Sequence, residues 1–217
     1  MSGNPYNLRP GELSSGTTIM GAIFDGGVVL GADSRTSTGT YIANRVADKI
    51  TPIHDFVWSC RSGSASDTQA INDYVKYYID SHSTELNRLP KVSTCANIMR
   101  KIVYSNKDAF SAGLIVGGWD PYEGGQIFQV PLGGTLVREN IALGGSGSTY
   151  IHGFVDANYK PGMGKQECKD FIARAISHAM ARDGSSGGVI RLVVITKEGV
   201  EKEVILGDKL PFLPNNF

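Results

Sequence analysis

Cysteine is scarce in this sequence, with Cys60, Cys95 and Cys168 the three found among 217 residues. They are odd in number, scattered, and form neither a CxxC pair nor a metal-ligand spacing, which excludes a disulfide framework and predicts reduced structural thiols. Charge of one sign is also lacking: Lys plus Arg and Asp plus Glu both total 21, so no net field exists to attract nucleic acid or an anionic membrane surface. No apolar run approaches the roughly eighteen residues that span a bilayer, and the first sixteen residues have no apolar signal-peptide stretch. An intracellular compartment is the expectation. The phosphate-binding GxxxxGK[ST], the dinucleotide GxGxxG and the zinc motif HExxH are all missing, and His54, His82, His152 and His178 stand singly. Each histidine therefore reads as surface or packing, and neither metal nor cofactor is expected.

What is present suits a globular chain. Hydrophobic residues make up 41% and charged residues 19%, enough apolar mass for a sizeable core, and one domain is the default at this length. Residues 1 to 16 hold two prolines and three glycines without periodicity, which reads as a leader. From Thr17 two apolar β-type runs are joined by Asp25-Gly26-Gly27, a hairpin signal. Further strands are expected at Tyr41 to Ala43 and Ile53 to Cys60, followed by a turn over RSGSASD. Two helices come next, the first from Ser66 with Ile71, Tyr74, Val75, Tyr78 and Ile79 at helical spacing, the second carrying Val92, Ile98, Met99, Ile102 and Val103. Strands at Gly113 to Trp119, Gln126 to Pro131 and Ile141 to Gly144, a helix over Lys165 to Arg182, and strands IRLVVIT and VEKEVIL complete the chain. Grouped strands and helices predict an α+β fold of antiparallel sheets with helices outside.

Two segments could carry nucleophilic chemistry. Gly184-Ser185-Ser186-Gly187-Gly188 satisfies GxSxG formally, but a nucleophile elbow needs a strand before it and a helix after it, and this segment has the reverse. The other is Ser14-Ser15-Gly16-Thr17-Thr18, where a strand begins at a hydroxyl residue directly after a glycine. If the chain is cut after Gly16, Thr17 owns both a nucleophilic Oγ and a free α-amine, of reference pKa about 7.7 to 8.0, as general base. On this residue alone, a threonine that merely starts a strand is the commoner explanation.

The segments TTIMGAIFDGGVVLGADSRTSTGTYIANRVADKI, RSGSASDTQA, GGSGSTYIHG and DGSSGGVIR, in this order, closely resemble a beta-type subunit of the eukaryotic proteasome core, most nearly the constitutive caspase-like, post-acidic one. The resemblance implies an N-terminal-nucleophile hydrolase fold, four αββα layers with two stacked antiparallel sheets. It also implies a propeptide at residues 1 to 16 and a catalytic domain at 17 to 217. Partners implied are other beta subunits in a seven-membered ring, the alpha rings, regulatory caps and polypeptide substrates, in cytoplasm and nucleus, with neither nucleic acid nor membrane.

Carried over by residue, the resemblance places the catalytic threonine at Thr17 after the processing glycine Gly16, its aspartate at Asp33 and its lysine at Lys49. An ammonium near the Thr17 hydroxyl favours the alkoxide, and Asp33 compensates its burial. Gly63 matches the glycine whose N–H serves the oxyanion. Ser146, Asp183 and Ser186 match groups around the N-terminal amine. Arg61 matches the base of the substrate pocket, with Thr36, Ala47 and Ala65 around it, and a guanidinium there selects acidic side chains. Ala47 departs from the threonine typical of the constitutive subunit. Two other classes stay open: a non-catalytic ring subunit, although such members typically lack the glycine and threonine or the lysine, and an amidase of the same chemistry acting on small molecules.

Overall fold

The computed structural model describes residues 14–38 and 41–212. Most of the expected leader, residues 1–13, lies outside them, as do residues 213–217.

The chain opens with β1 (Ser14–Ser15), β2 (Ile19–Phe24), β3 (Gly27–Ala32), β4 (Thr36–Thr38), β5 (Tyr41–Asn44), β6 (Ile50–His54) and β7 (Val57–Ser64). Helices α1 (Ala65–Leu86) and α2 (Val92–Ser105) follow, then β8 (Ala112–Asp120), β9 (Gly124–Val130), β10 (Val137–Glu139) and β11 (Ile141–Gly144). A 3-10 turn over Ser146–Tyr150 leads into α3 (His152–Asn158) and α4 (Lys165–Arg182), and β12 (Ile190–Thr196) and β13 (Gly199–Ile205) complete the fold.

The strands form two large antiparallel sheets, one ordered β1-β7-β8-β9-β10 with β6 also on β7, the other β11-β2-β3-β12-β13, and β4 and β5 pair as a separate two-stranded ribbon. Period-two alternation sends successive side chains of a strand to opposite faces, and the central strands β3 and β8 are buried on both. On β3, Val28, Leu30 and Ala32 join Ile50, Trp58, Cys60, Ile115 and Ile127 of the first sheet in a core between the sheets, while Val29 packs with Phe171, Ile172 and Ile176 of α4. On β8, Ile115 faces that shared core and Leu114 and Val116 face Ile71, Val75 and Ile79 of α1 and Met99 of α2. The layers are therefore helix, sheet, sheet, helix, the architecture expected of an N-terminal-nucleophile hydrolase. Continuously buried strands such as Gly27–Ala32 need cover on both faces, and the two helical layers supply it.

Two local expectations are corrected. Ile53 to Cys60 is no single strand: Asp55 and Phe56 turn the chain, and β6 pairs back on β7. The segment RSGSASD is not a turn throughout, because Arg61 to Ser64 extend β7 along β8 and the helix starts at Ala65, capped by the Ser64 side chain accepting from the Asp67 amide. The hydroxyl and glycine content suggests a loop, but the ladder to Leu114, Gly113 and Ala112 continues through it.

Candidate active site

The site lies where the first residues of the chain pass between the two sheets. Ser14 pairs with Ser64 and Ser15 with Gly63, so the leader's last residues add an antiparallel strand to the edge of β7. Gly63 adopts φ +103°, and a side chain there would collide with the Ser111 carbonyl; only glycine meets both demands. At Gly16 the backbone runs so close to Ser185 that a Cβ would overlap that side chain. Thr17 then enters the interior, 1% exposed, and β2 begins two residues later.

Lys49, at the entrance to β6, points its amine at this junction. Its Nζ donates to Thr17 Oγ1 at 3.0 Å, to the Gly16 carbonyl at 3.0 Å and to Asp33 Oδ1 at 2.8 Å. Three donors meet three acceptors, so an ammonium is fully satisfied here. Burial nevertheless lowers the Lys49 pKa, with Asp33 the main opposing influence. Asp33 follows β3 and is itself tied down by backbone amides: Thr18 N at 2.9 Å on Oδ1, and Gly187 N at 2.9 Å and Arg35 N at 3.2 Å on Oδ2. A carboxylate so held cannot swing away from Lys49.

On the other flank of Thr17 a hydroxyl relay forms. The Thr17 amide donates to Ser146 Oγ at 3.1 Å, and Ser146 Oγ donates to Asp183 Oδ2 at 2.7 Å. The same carboxylate oxygen accepts from Ser186 Oγ at 2.6 Å, and Oδ1 from the Ser185 amide at 3.0 Å. Asp183 ends α4, and the turn Asp183 to Gly188 is the GSSGG segment; it folds as a helix C-terminal turn that feeds β12, not an elbow.

A cavity of about 70 Å³ opens beside Thr17, lined by Thr36, Ala47, Asp48, Lys49, Arg61, Gly63, Ala65 and Thr68. All four residues assigned to the substrate pocket are thus on its wall. Arg61 is held by its Nη2 donating to the Asp48 carbonyl at 2.9 Å, while its Nε is buried without a hydrogen-bond partner among the described residues. Burial lowers the Arg61 pKa, opposed mainly by Asp48. A guanidinium with a donor to spare is suited to an anion.

Sequence reasoning missed Thr18, Arg35 and Gly187, whose backbone amides fix Asp33, and the Thr18 hydroxyl, 2.8 Å from Ser186 Oγ. The Thr-Thr doublet at the strand entrance held a signal: alternation sends the second hydroxyl to the opposite face from the first. Among the described residues no group of three or more His, Cys, Asp or Glu is placed to hold a metal.

A family model described as proteasome subunit matches residues 13–195. The chain belongs to the proteasome beta subunit family. Proteasome subunit beta type-6 of Dictyostelium discoideum is 55% identical over 196 residues, covering 90% of this chain and 92% of that protein. Proteasome subunit beta type-9 of Rattus norvegicus is 53% identical over 205 residues, 94% of this chain and 93% of the relative. Proteasome subunit beta type-1 of Saccharomyces cerevisiae is 48% identical over 202 residues, 93% and 94% respectively. Membership implies assembly with other proteasome subunits. Among the described residues no helix is long and apolar enough to cross a membrane.

Proposed function

We propose that this beta subunit is a threonine endopeptidase of the proteasome core, made as a precursor, that removes residues 1–16 itself and then cleaves unfolded polypeptides after acidic residues. One observation carries the reading: a single amine, Lys49 Nζ, lies 3.0 Å from both the Thr17 hydroxyl and the carbonyl of the bond to be cut.

With the leader attached, the Thr17 nitrogen is an amide and has no basic lone pair. Lys49 is then the group able to take the Oγ proton, and its burial-lowered pKa raises the fraction of neutral amine that does so. Oγ attacks the Gly16 carbonyl carbon, closing a five-membered ring through Cβ, Cα and N of Thr17. The carbonyl oxygen gains charge beside Lys49, now protonated and compensated by Asp33. Collapse breaks the bond from Gly16 to the Thr17 nitrogen, which takes the proton, and leaves Gly16 esterified to Oγ. Water hydrolyses the ester, releasing the leader and freeing both the hydroxyl and the amine. In the mature chain the α-amine, hydrogen-bonded to Ser146 and through it to Asp183, is the base for each later acyl transfer. Gly63 N–H is assigned to the oxyanion, and Ser186 and Asp183 orient the amine.

The leader strand on β7 stands where a substrate would add as a strand, backbone amides giving affinity and the adjacent cavity giving selectivity. Arg61 in that cavity, flanked by Thr36, Ala47 and Ala65, favours a Glu or Asp side chain on the residue before the cut. The particle's seven-membered rings, alpha rings and regulatory caps, and a cytoplasmic and nuclear location, belong to this reading. Mass spectrometry of the assembled particle tests it: chains beginning at Thr17, and loss of both trimming and post-acidic cleavage in Thr17→Ala, are expected. Retained post-acidic cleavage in that variant refutes the assignment and leaves a non-catalytic ring subunit.

A further inference from the structure

The oxyanion amide assigned to Gly63 stands on a residue that does not fix its own conformation. Gly63 holds φ +103°, and glycine populates positive and negative φ about equally, so contacts from outside must choose between them. The Ser111 carbonyl is one such contact. It packs where a Gly63 Cβ would be, and it accepts the Ser64 amide at 2.8 Å. Ser111 directly precedes β8, and it is held in turn by Asp67, whose Oδ2 accepts the Ser111 amide at 3.0 Å.

Asp67 is the third residue of α1 after its cap, Ser64, and Ser64-Ala65-Ser66-Asp67 has the sequence of a capping box. Half of the box forms: the Asp67 amide donates to Ser64 Oγ at 3.4 Å. In the usual second half the acidic side chain reaches back to the amide of the capping residue. Here the Ser64 amide goes to Ser111 instead, and so does the Asp67 carboxylate. The three residues close a ring of hydrogen bonds: Ser64 N–H to the Ser111 carbonyl, Ser111 N–H to Asp67, and Asp67 N–H to Ser64 Oγ. A helix cap alone has no need of the link across to the start of β8. The ring ties the residue next to Gly63, and the carbonyl packed against Gly63, to one carboxylate on α1.

We propose, resting on the peptidase reading above, that Asp67 is a positioning residue for the Gly63 oxyanion amide, acting through the Ser111 backbone. Gly63 is on the wall of the cavity beside Thr17, and Asp67 is not among the residues lining it. With Ser111 held, the Gly63 N–H is preorganised for the charge that develops on the scissile carbonyl. With Ser111 released, Gly63 can turn and the amide loses its aim.

The test sets two substitutions against each other in the assembled particle. A role confined to the helix end needs the charge: Asp67→Glu keeps it and supplies the usual capping-box residue, whereas Asp67→Asn loses it. Positioning needs an acceptor at this reach: Asn keeps an oxygen there, whereas Glu carries its carboxylate one methylene further. The rate is cleavage after Glu that disappears in Thr17→Ala particles, divided by the amount of chain beginning at Thr17. Asp67→Asn should stay close to the unsubstituted protein. Asp67→Glu should lose about tenfold in kcat with KM nearly constant, a part of the roughly 10²–10³ that removal of an oxyanion donor costs. A peptide boronic acid, whose negatively charged tetrahedral adduct with Thr17 Oγ places an oxygen at the oxyanion position, should lose affinity in parallel. The matching peptide carboxamide should bind unchanged. Asp67→Glu at full rate, Asp67→Asn impaired, or boronic acid and carboxamide affinities falling together overturns the positioning role while the peptidase reading stands. No Thr17-dependent cleavage in the unsubstituted particle sinks both.

Discussion

Lys49 Nζ and Asp33 Oδ1 are 2.8 Å apart, with side chains 7% and 0% exposed, and the same amine donates to the Thr17 hydroxyl and the Gly16 carbonyl. An ion pair sealed this way is poor evidence for stability, since well-packed apolar residues often match it; breaking it is another matter, costing about 3–5 kcal/mol when one charge is stranded. Asp33 also holds three backbone amides. Asp33→Ala should therefore destabilise the chain strongly as well as abolish trimming. Lys49→Met removes the charge at similar volume and strands Asp33, which keeps its three backbone amides, so it should lower the melting temperature less than Asp33→Ala while abolishing trimming. Thermal unfolding beside mass spectrometry separates the two effects; Lys49→Met particles that still trim the leader would sink the role given to Lys49.

The sign of the pH dependence follows from Lys49. Burial lowers its pKa from 10.5, so between the lowered value and 10.5 the unfolded chain binds this proton more tightly than the folded one, and this group's contribution to stability rises with pH across that window. The neutral amine is also the form that accepts the Thr17 proton. Leader removal in a pH series should accelerate as pH rises, along a limb lying below the ordinary lysine range. A rate that falls as pH rises would mean that Lys49 acts only as a cation.

Much of this arrangement was legible in the sequence, and what was not has physical reasons. The short, unbroken β-branched and apolar run in IRLVVIT and the Asp25-Gly26 turn report local geometry, so β2, β3 and β12 stand where expected. Strand β4, which starts shortly after Asp33, was invisible because three residues without an apolar alternation, Thr36 to Thr38, carry no periodic signal. Arg61 to Ser64 looked like a loop because cross-strand pairing with β8, nearly fifty residues away, is not a local property. The candidate site was readable only through motif resemblance. Thr17, Asp33, Lys49, Ser146 and Asp183 are dispersed along the chain, and nothing in their spacing brings them together. The amides of Thr18, Arg35 and Gly187 were missed since backbone donors leave no mark in side-chain identity.

Arg61 tests selectivity apart from catalysis. Its Nη2 bond to the Asp48 carbonyl anchors the side chain, and the guanidinium remains on the cavity wall. Hydrogen bonds to a charged group are worth about 1.5–3 kcal/mol. Arg61→Leu should lower kcat/KM for cleavage after Glu by about ten- to hundredfold and raise cleavage after apolar residues, while chains still begin at Thr17, since the leader presents Gly16 to that cavity and needs no cation there. Unchanged selectivity would remove Arg61 from the pocket.

Gly16 offers a test in which one substitution acts on a single turnover. A Cβ at this position overlaps Ser185, whose amide also donates to Asp183 at 3.0 Å, so Gly16→Val must push the scissile carbonyl away from Lys49 or shift the turn that holds Asp183. A misplacement of about 1 Å can cost about a hundredfold in rate, and leader removal should slow by that order. Residue 16 leaves with the leader, so the chains that do mature are identical to those of the unsubstituted protein. Peptidase activity per mature chain should therefore be unchanged, measured as cleavage after Glu divided by the amount of chain beginning at Thr17. A reduced activity per mature chain would show that Gly16 shapes the folded site beyond its own cleavage, contrary to the division between leader and enzyme argued from the Thr17 junction.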